Sequence, residues 1–223
     1  MLYIVATPIG NLEDITLRGL RILGEVDLIA AEDTRETKKL LLKYKIEKPL
    51  ISYYRENEKK RTLKLLQLLK DGKKIALVCD RGTPGISDPA YLLVKSARAE
   101  NIPVIPVPGA CGIVAALSVC GLPTTNFTFP GFLPRKKGKR KKVLGELSRR
   151  LETVVFYESP YRVLSLLREV REIFGERKAT VCRELTKKFE EVICAPFSEL
   201  ISVFEKKKPK GEFIIIVEKC LNS

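Results

Sequence analysis

Apolar residues along this chain come in two alternating textures. Residues 2–6, 26–31, 50–53, 75–79 and 104–107 are short, mostly apolar runs rich in Ile, Val and Leu. Residues 16–23, 34–43, 59–70 and 90–100 instead set their apolar residues three and four positions apart. The first texture fits strands buried on both faces, and the second fits helices with one apolar stripe. Their alternation predicts a mainly parallel sheet covered by helices. Residues 110–120 add a helix of small residues that stops at Gly121-Leu122-Pro123. The second half changes texture. Strands are expected at residues 127–132, 153–157, 178–184, 189–194 and 213–218, with helices at 139–150 and 161–174. Consecutive strands there imply antiparallel pairing and a mixed sheet. The break at residues 121–125 divides the chain into two α/β domains, 1–121 and 122–223.

Composition is compatible with this picture and narrows it. The 223 residues suffice for two packed domains, and 45% apolar with 30% charged content describes a folded chain. No apolar run approaches the length of about 18 residues that a membrane span needs. The first residues read as a strand, with no basic segment ahead of it, so a cytoplasmic protein without membrane contact is expected. Six cysteines form no C-x-x-C pair and histidine is absent. No metal site is expected, and His-based triads and H-E-x-x-H zinc sites are excluded. The thiols are expected reduced, most of them buried.

Charge changes the picture more. Residues 135–150 hold nine basic residues and one acid. Lys206, Lys207, Lys208 and Lys210 form a second basic cluster, and the two stretches carry nearly all of the net charge of +14. Charge clustered in this way favours a nucleic-acid partner over mere solubility. Arg135, Lys136, Lys137, Lys139, Arg140, Lys141 and Lys142 are the candidate phosphate contacts; a solvated basic helix is the alternative.

The chain has neither G-x-G-x-x-G after a strand nor a phosphate-binding G-x-x-x-x-G-K-[ST] loop. What it has are polar, Gly- and Pro-rich loops after strands, at residues 7–11 (TPIGN), 32–35 (EDTR), 80–89 (DRGTPGISDP) and 108–112 (PGACG). Each alone reads as a turn or helix cap, with Asp33 or Thr34 a natural N-cap. Gathered beyond the carboxyl ends of parallel strands, they read as a ligand site. In the second half, residues 156–159 (FYES) and 183–187 (RELTK) end strands in charge. Salt bridges from Glu158 or Glu184 to an arginine are the structural alternative there.

The stretches TPIGNLEDIT, AAEDTRETKKLL, DRGTPGISDP, VPGACGIVAAL, GLPTTNFTFPGFLPRKKGKR, VVFYESPYRV, CRELTKKFEE and KGEFIIIVE occur in this order over nearly the whole chain. In them the chain closely resembles the bacterial small-subunit ribosomal RNA ribose 2′-O-methyltransferases, which modify a cytidine in the decoding region and belong to the tetrapyrrole-methylase superfamily. The resemblance implies two α/β domains with S-adenosylmethionine in the cleft between them, a cytoplasmic homodimer, and 16S rRNA or the small ribosomal subunit as substrate. It implies donor contacts at Pro8, Ile9, Gly82, Thr83, Ile86, Gly109, Ala110, Tyr157, Glu158, Glu184, Leu185 and Glu212. The chain departs from the pattern at Arg81, where relatives have a small residue. It also departs at Glu36, at Tyr54 or Arg55, and at Tyr161, where histidines are common. Many members continue past the last strand, whereas this sequence ends at Ser223. A methyltransferase of the same superfamily with a porphyrinoid or protein substrate is one alternative. A catalytically silent RNA-binding protein is another.

A ribose hydroxyl becomes a competent nucleophile when a base takes its proton. Without histidine, the candidate bases are Glu32, Asp33, Glu158 and Glu184, with Arg35, Arg183 or Lys187 to stabilise the oxyanion. Tyr53, Tyr54, Phe127, Phe129 and Phe132 are candidates either for stacking a splayed base or for the core.

Overall fold

The computed structural model describes residues 1–207 and 209–220; Lys208 of the second basic cluster therefore lies outside the described residues. The chain divides into two compact units, Met1–Cys111 and Gly112–Ser223. The division falls before the small-residue helix, not after it at residue 121.

The N-terminal unit alternates β1 (Leu2–Val5), α1 (Leu17–Glu25), β2 (Leu28–Ala31), α2 (Thr34–Lys43), β3 (Leu50–Ser52), α3 (Glu58–Lys70), β4 (Ile75–Val78), α4 (Tyr91–Ala99) and β5 (Val104–Val107), with a short 3-10 turn at Leu12–Asp14. The strands form one sheet in the order β3-β2-β4-β1-β5, and every pairing is parallel. Period-two alternation sorts the side chains. Ala30, Ile75 and Leu77 pack with Leu65, Leu69, Leu93 and Ala97 of α3 and α4. Ile29, Ala31, Ala76 and Val78 pack with Ile22, Leu23 and Leu41 of α1 and α2. Each fully buried Leu or Ile contributes about 1.5–3 kcal/mol relative to exposure. Val26, expected to open a strand, instead caps α1 through its N–H to Ile22 O. The strand order makes β2, β4, β1 and β5 successive neighbours, so the loops that leave them share one sheet edge.

The C-terminal unit comprises α5 (Gly112–Val119), β6 (Phe127–Phe132), α6 (Lys137–Leu147), β7 (Thr153–Glu158), α7 (Val163–Phe174), β8 (Lys178–Arg183), β9 (Glu191–Pro196), α8 (Phe197–Lys206) and β10 (Phe213–Val217). Its sheet runs β6-β7-β10-β8-β9. The β6–β7 pair is parallel and the others are antiparallel. Val154, Phe156, Val181, Phe213 and Ile215 face α6, α7 and α8. On the opposite face Thr180 donates to Cys120 O, and Ile214 meets Gly112 at the start of α5. These contacts assign α5 to this unit. Helix α8 lies outside the expected elements, although Phe197, Leu200, Ile201 and Phe204 recur at helical spacing and are all buried. The basic helix is shorter than expected: Arg149 and Arg150 lie beyond its end. The strand expected from residue 189 begins at Glu191, because left-handed Glu184 and Thr186 set a turn after β8. No described helix is long and apolar enough to cross a membrane.

Candidate active site

The loops at the carboxyl edge of the parallel sheet are tied to one another. Thr7 and Gly82 form an isolated antiparallel bridge, with Thr7 N–H donating to Gly82 O at 2.8 Å and Gly82 N–H to Thr7 O at 3.0 Å. The Thr7 hydroxyl donates to Cys79 O at 3.0 Å, and the Thr83 hydroxyl to Ala110 O at 3.2 Å. Gly82 has φ +85°, and a Cβ there would stand 3.4 Å from Ile9 Cγ2 and 3.7 Å from Ala110 O. A Cβ on Gly109 would stand 3.0 Å from Ala6 Cβ. Glycine is thus required by conformation at the first position and by close approach at the second. Of the expected donor contacts, Pro8, Ile9, Gly82, Thr83, Gly109 and Ala110 are brought together by these ties. Ile86 sits farther along the same loop, its apolar side chain 41% exposed.

Next to this framework the structure gathers carboxylates that are far apart in the sequence. Asp80 N–H donates to Glu32 Oε2 at 3.3 Å, and Asp33 N–H donates to Asp80 Oδ1 at 2.8 Å. Burial raises the pKa of Glu32, and the charges of Asp88 and Asp80 raise it further. Asp80 and Asp88 are also raised, again chiefly by burial. Arg55 lowers Glu32 and Asp88, and Arg81 lowers Asp80. The departing arginine therefore acts electrostatically on a carboxylate of its own loop. Asp33 is the opposite case. It caps α2 through Arg35 N–H at 2.8 Å and pairs with the Arg35 guanidinium at 2.6 Å. Those bonds hold Asp33 at about 2, a weak base, and they occupy Arg35. By sequence alone Asp80 and Asp88 are turn residues. Their only signal there is a position just past a buried strand.

The strand ends of the C-terminal unit carry a second set of polar groups. Glu158 ends β7 almost fully buried; its Oε1 accepts from Ser159 N–H and from Arg162 Nε at 2.7 Å. Glu158 Oε2 and Arg162 Nη1 are buried without a protein partner. Glu184, at φ +51°, accepts from Lys187 Nζ at 2.8 Å and from Glu212 N–H at 2.9 Å, and Lys187 also pairs with Glu212 at 3.0 Å. The side chain of Glu184 fills the space that a Cβ on Gly211 would take. Arg183 donates to Lys210 O and faces Glu191 at 3.4 Å. The expected pairing with an arginine thus holds for Glu158, through Arg162, whereas Glu184 pairs with Lys187 and Arg183 with Glu191. Leu185 lies half-buried in the same turn. Tyr157 packs its ring against Phe129 and Phe132, at 5.1 and 5.4 Å between centroids.

The basic segment divides by helical phase. Arg140 is buried on α6 and forms a two-pronged pair with Glu169 of α7, both contacts at 2.7 Å. Its Nη1 donates to Pro134 O and Arg135 O. Arg140 is therefore a structural residue and not a phosphate contact, because each of its nitrogens is engaged inside the unit. Lys141 pairs with Glu172 at 2.7 Å. Arg135, Lys136, Lys137, Lys139 and Lys142 are exposed. Among the aromatics, Tyr53 belongs to the core: its hydroxyl bonds Thr62 Oγ1 at 3.0 Å, and burial pushes it up to about 12. Phe127 and Phe132 are exposed. Burial likewise pushes the Cys79 thiol upward and the Cys182 thiol up to about 12, so neither is a nucleophile at neutral pH. Among the described residues no group of His, Cys, Asp and Glu side chains is arranged to hold a metal ion.

A parallel sheet with linked Gly-rich loops at its carboxyl edge, followed by a mixed α/β unit, is the architecture of a methylase family. Residues 1–201 match the tetrapyrrole (corrin/porphyrin) methylases, and the chain belongs to that family. Within it, the chain is 51% identical over 216 residues to the ribosomal RNA small subunit methyltransferase I of Thermotoga maritima, covering 97% of each chain. The protein of the same name from Bacillus subtilis is 47% identical over 218 residues, covering 98% of this chain and 75% of its own. Two solved structures are similar in fold. A uroporphyrin-III C-methyltransferase from Thermus thermophilus, complexed with S-adenyl homocysteine, has a TM-score of 0.67 at 18% identity, covering 96% of each chain. Diphthine synthase has a TM-score of 0.74 at 14% identity, covering 99% of this chain and 91% of its own.

Proposed function

We propose that this protein is an S-adenosylmethionine-dependent methyltransferase that modifies the ribose 2′ hydroxyl of a cytidine in the decoding region of 16S rRNA. The observation that carries the reading is the 51% identity, end to end, with a protein named for methylating small-subunit ribosomal RNA. A cytoplasmic homodimer acting on 16S rRNA or the small subunit goes with it. Incubation of the protein and a labelled methyl donor with small subunits, free 16S rRNA and a porphyrinogen tests the substrate. Label confined to the porphyrinogen would contradict the reading.

The donor supplies a methyl group on a cationic sulfonium. The residues present fit such a group. Gly82 lets the backbone come close, Ile9 and Ile86 offer apolar surface, and the carboxylates Asp80 and Asp88 offset positive charge. Pro8, Thr83, Gly109 and Ala110 complete this part of the contact set. Tyr157, Glu158, Glu184, Leu185 and Glu212 are the contacts assigned to the C-terminal unit, where Glu158 Oε2 retains capacity to accept a hydrogen bond. An L-residue at φ +85° costs about 1–2 kcal/mol. That strain lowers Tm; in addition a methyl at Gly82 would stand 3.4 Å from Ile9 Cγ2 and 3.7 Å from Ala110 O, on the surface assigned to the donor, so Gly82→Ala should also weaken donor binding by about tenfold in calorimetry. Gly72→Ala is the control. Gly72 has φ +83° with open space around it, in the turn after α3, so it should lower Tm and leave donor affinity alone.

Among the candidate bases, Asp33 is committed to Arg35, and Glu158 and Glu184 are ion-paired. Glu32 is the carboxylate poised to take the ribose proton, since burial and its acidic neighbours raise its basicity towards the working pH. The exposed cations of residues 135–142 are the phosphate contacts. Replacing Lys136, Lys137, Lys139 and Lys142 with Gln should weaken RNA binding. It should also flatten the dependence of log Kd on log salt by about 0.7–0.9 for each phosphate that no longer meets a cation. An unchanged slope would remove them from the interface.

A further inference from the structure

Two exposed aromatics, Phe132 and Tyr161, lie at the carboxyl ends of β6 and β7. Strands β6 and β7 are parallel neighbours, with Phe132 in register with Tyr157, so their carboxyl ends lie side by side. Phe132 closes β6 with 57% of its surface exposed, and Tyr161, three residues past the end of β7, is 94% exposed. Single exposed aromatics are ordinary on protein surfaces. Phe132 stands three residues before Arg135, which opens the segment that also carries Lys136, Lys137 and Lys139, all exposed.

The platform is also braced. The ring of Phe132 leans on Tyr157 at 49° between planes, and Phe129 meets Tyr157 edge-on at 76°. Arg140 latches the carbonyls of Pro134 and Arg135, which fixes the start of the cationic segment just beyond Phe132. We infer that Phe132 and Tyr161 form a stacking platform for unpaired nucleotides of the RNA, whose phosphates lie on Arg135, Lys136, Lys137 and Lys139. Any base can stack on an aromatic face, and the adjoining cations follow the backbone. The occupant is a single-stranded RNA segment, because a base inside a duplex has no free face to offer. Phe189 makes the contrast. It is 63% exposed and has Lys188 over its ring, but its loop also carries Glu184 and Glu190, with Glu191 opening β9 directly after it, and these disfavour a phosphate backbone.

The inference rests on the RNA-substrate reading above. Its test is the binding of a short labelled oligoribonucleotide, single-stranded and as a duplex, across a salt series. Phe132→Ala and Tyr161→Ala should each weaken single-strand binding by about tenfold. The salt slope should stay as in the unmodified protein, since stacking releases no counterions. Duplex binding should be unchanged, and Phe132→Trp and Tyr161→Phe should retain affinity. Near-normal affinity in both alanine variants would overturn the platform while leaving the RNA reading intact. So would an equal loss in Phe189→Ala, or a change from dimer to monomer in light scattering. Absence of RNA binding and RNA methylation in the unmodified protein would overturn both.

Discussion

Glu32→Gln should lower the single-turnover methylation rate by about 10²–10⁴-fold while donor affinity stays near normal. Gln keeps an oxygen that can accept the Asp80 N–H, so the link between the loops after β2 and β4 survives and only the basic function is lost. The pH dependence gives the sharper signature. Burial, then the charges of Asp88 and Asp80, raise the Glu32 pKa. A base must be deprotonated to act, so the rate should climb with pH through that raised value and then level off. Asp80→Asn and Asp88→Asn each remove a neighbouring negative charge and so lower the Glu32 pKa. The inflection should move to lower pH in both variants. A normal rate in Glu32→Gln would transfer the role to another group, with Glu158 the first to examine.

Arg140→Met should destabilise the protein by about 3 kcal/mol, or roughly 10 °C in Tm. Removing Arg140 leaves the Glu169 carboxylate nearly buried without its cation, and the carbonyls of Pro134 and Arg135 lose a donor. Replacing both partners with apolar residues should cost far less, because no uncompensated charge remains. The pH dependence has a defined sign. The Arg140 guanidinium holds Glu169 below the usual carboxylate range. The pair's contribution is therefore complete above that range and is lost as pH falls through the lowered Glu169 value. Lys141→Met, which breaks an exposed pair, should change stability by at most about 1 kcal/mol. If Arg140 were a phosphate contact, Arg140→Met would leave Tm alone and flatten the salt slope of RNA binding.

These two residues also show what a sequence can convey. The uninterrupted run of β4 and the spacing of Leu65 and Leu69 announce a parallel sheet between helices, and the loops after its strands are legible as a candidate site from position alone. Arg140 passes for a phosphate contact because a run of lysines and arginines hides helical phase. Arg140, Leu144 and Leu147 share the buried stripe of α6, and that spacing is the available clue. Its partner Glu169 is 29 positions away, beyond any local rule. Asp80 and Asp88 are hidden for a similar reason. Their coupling to Glu32 exists only because β2 and β4 are neighbours in the sheet. Helix α8 escapes notice because it starts directly after β9, with Pro196 as its cap and no polar turn to mark it.

The position of the transferred methyl group tests the central claim most directly. Small ribosomal subunits are methylated with a labelled donor, and the recovered 16S rRNA is hydrolysed in alkali. A 2′-O-methyl group blocks cleavage at its own nucleotide, so the label should appear in one alkali-resistant dinucleotide that begins with cytidine. Label recovered in ordinary mononucleotides, and therefore on a base, would contradict it.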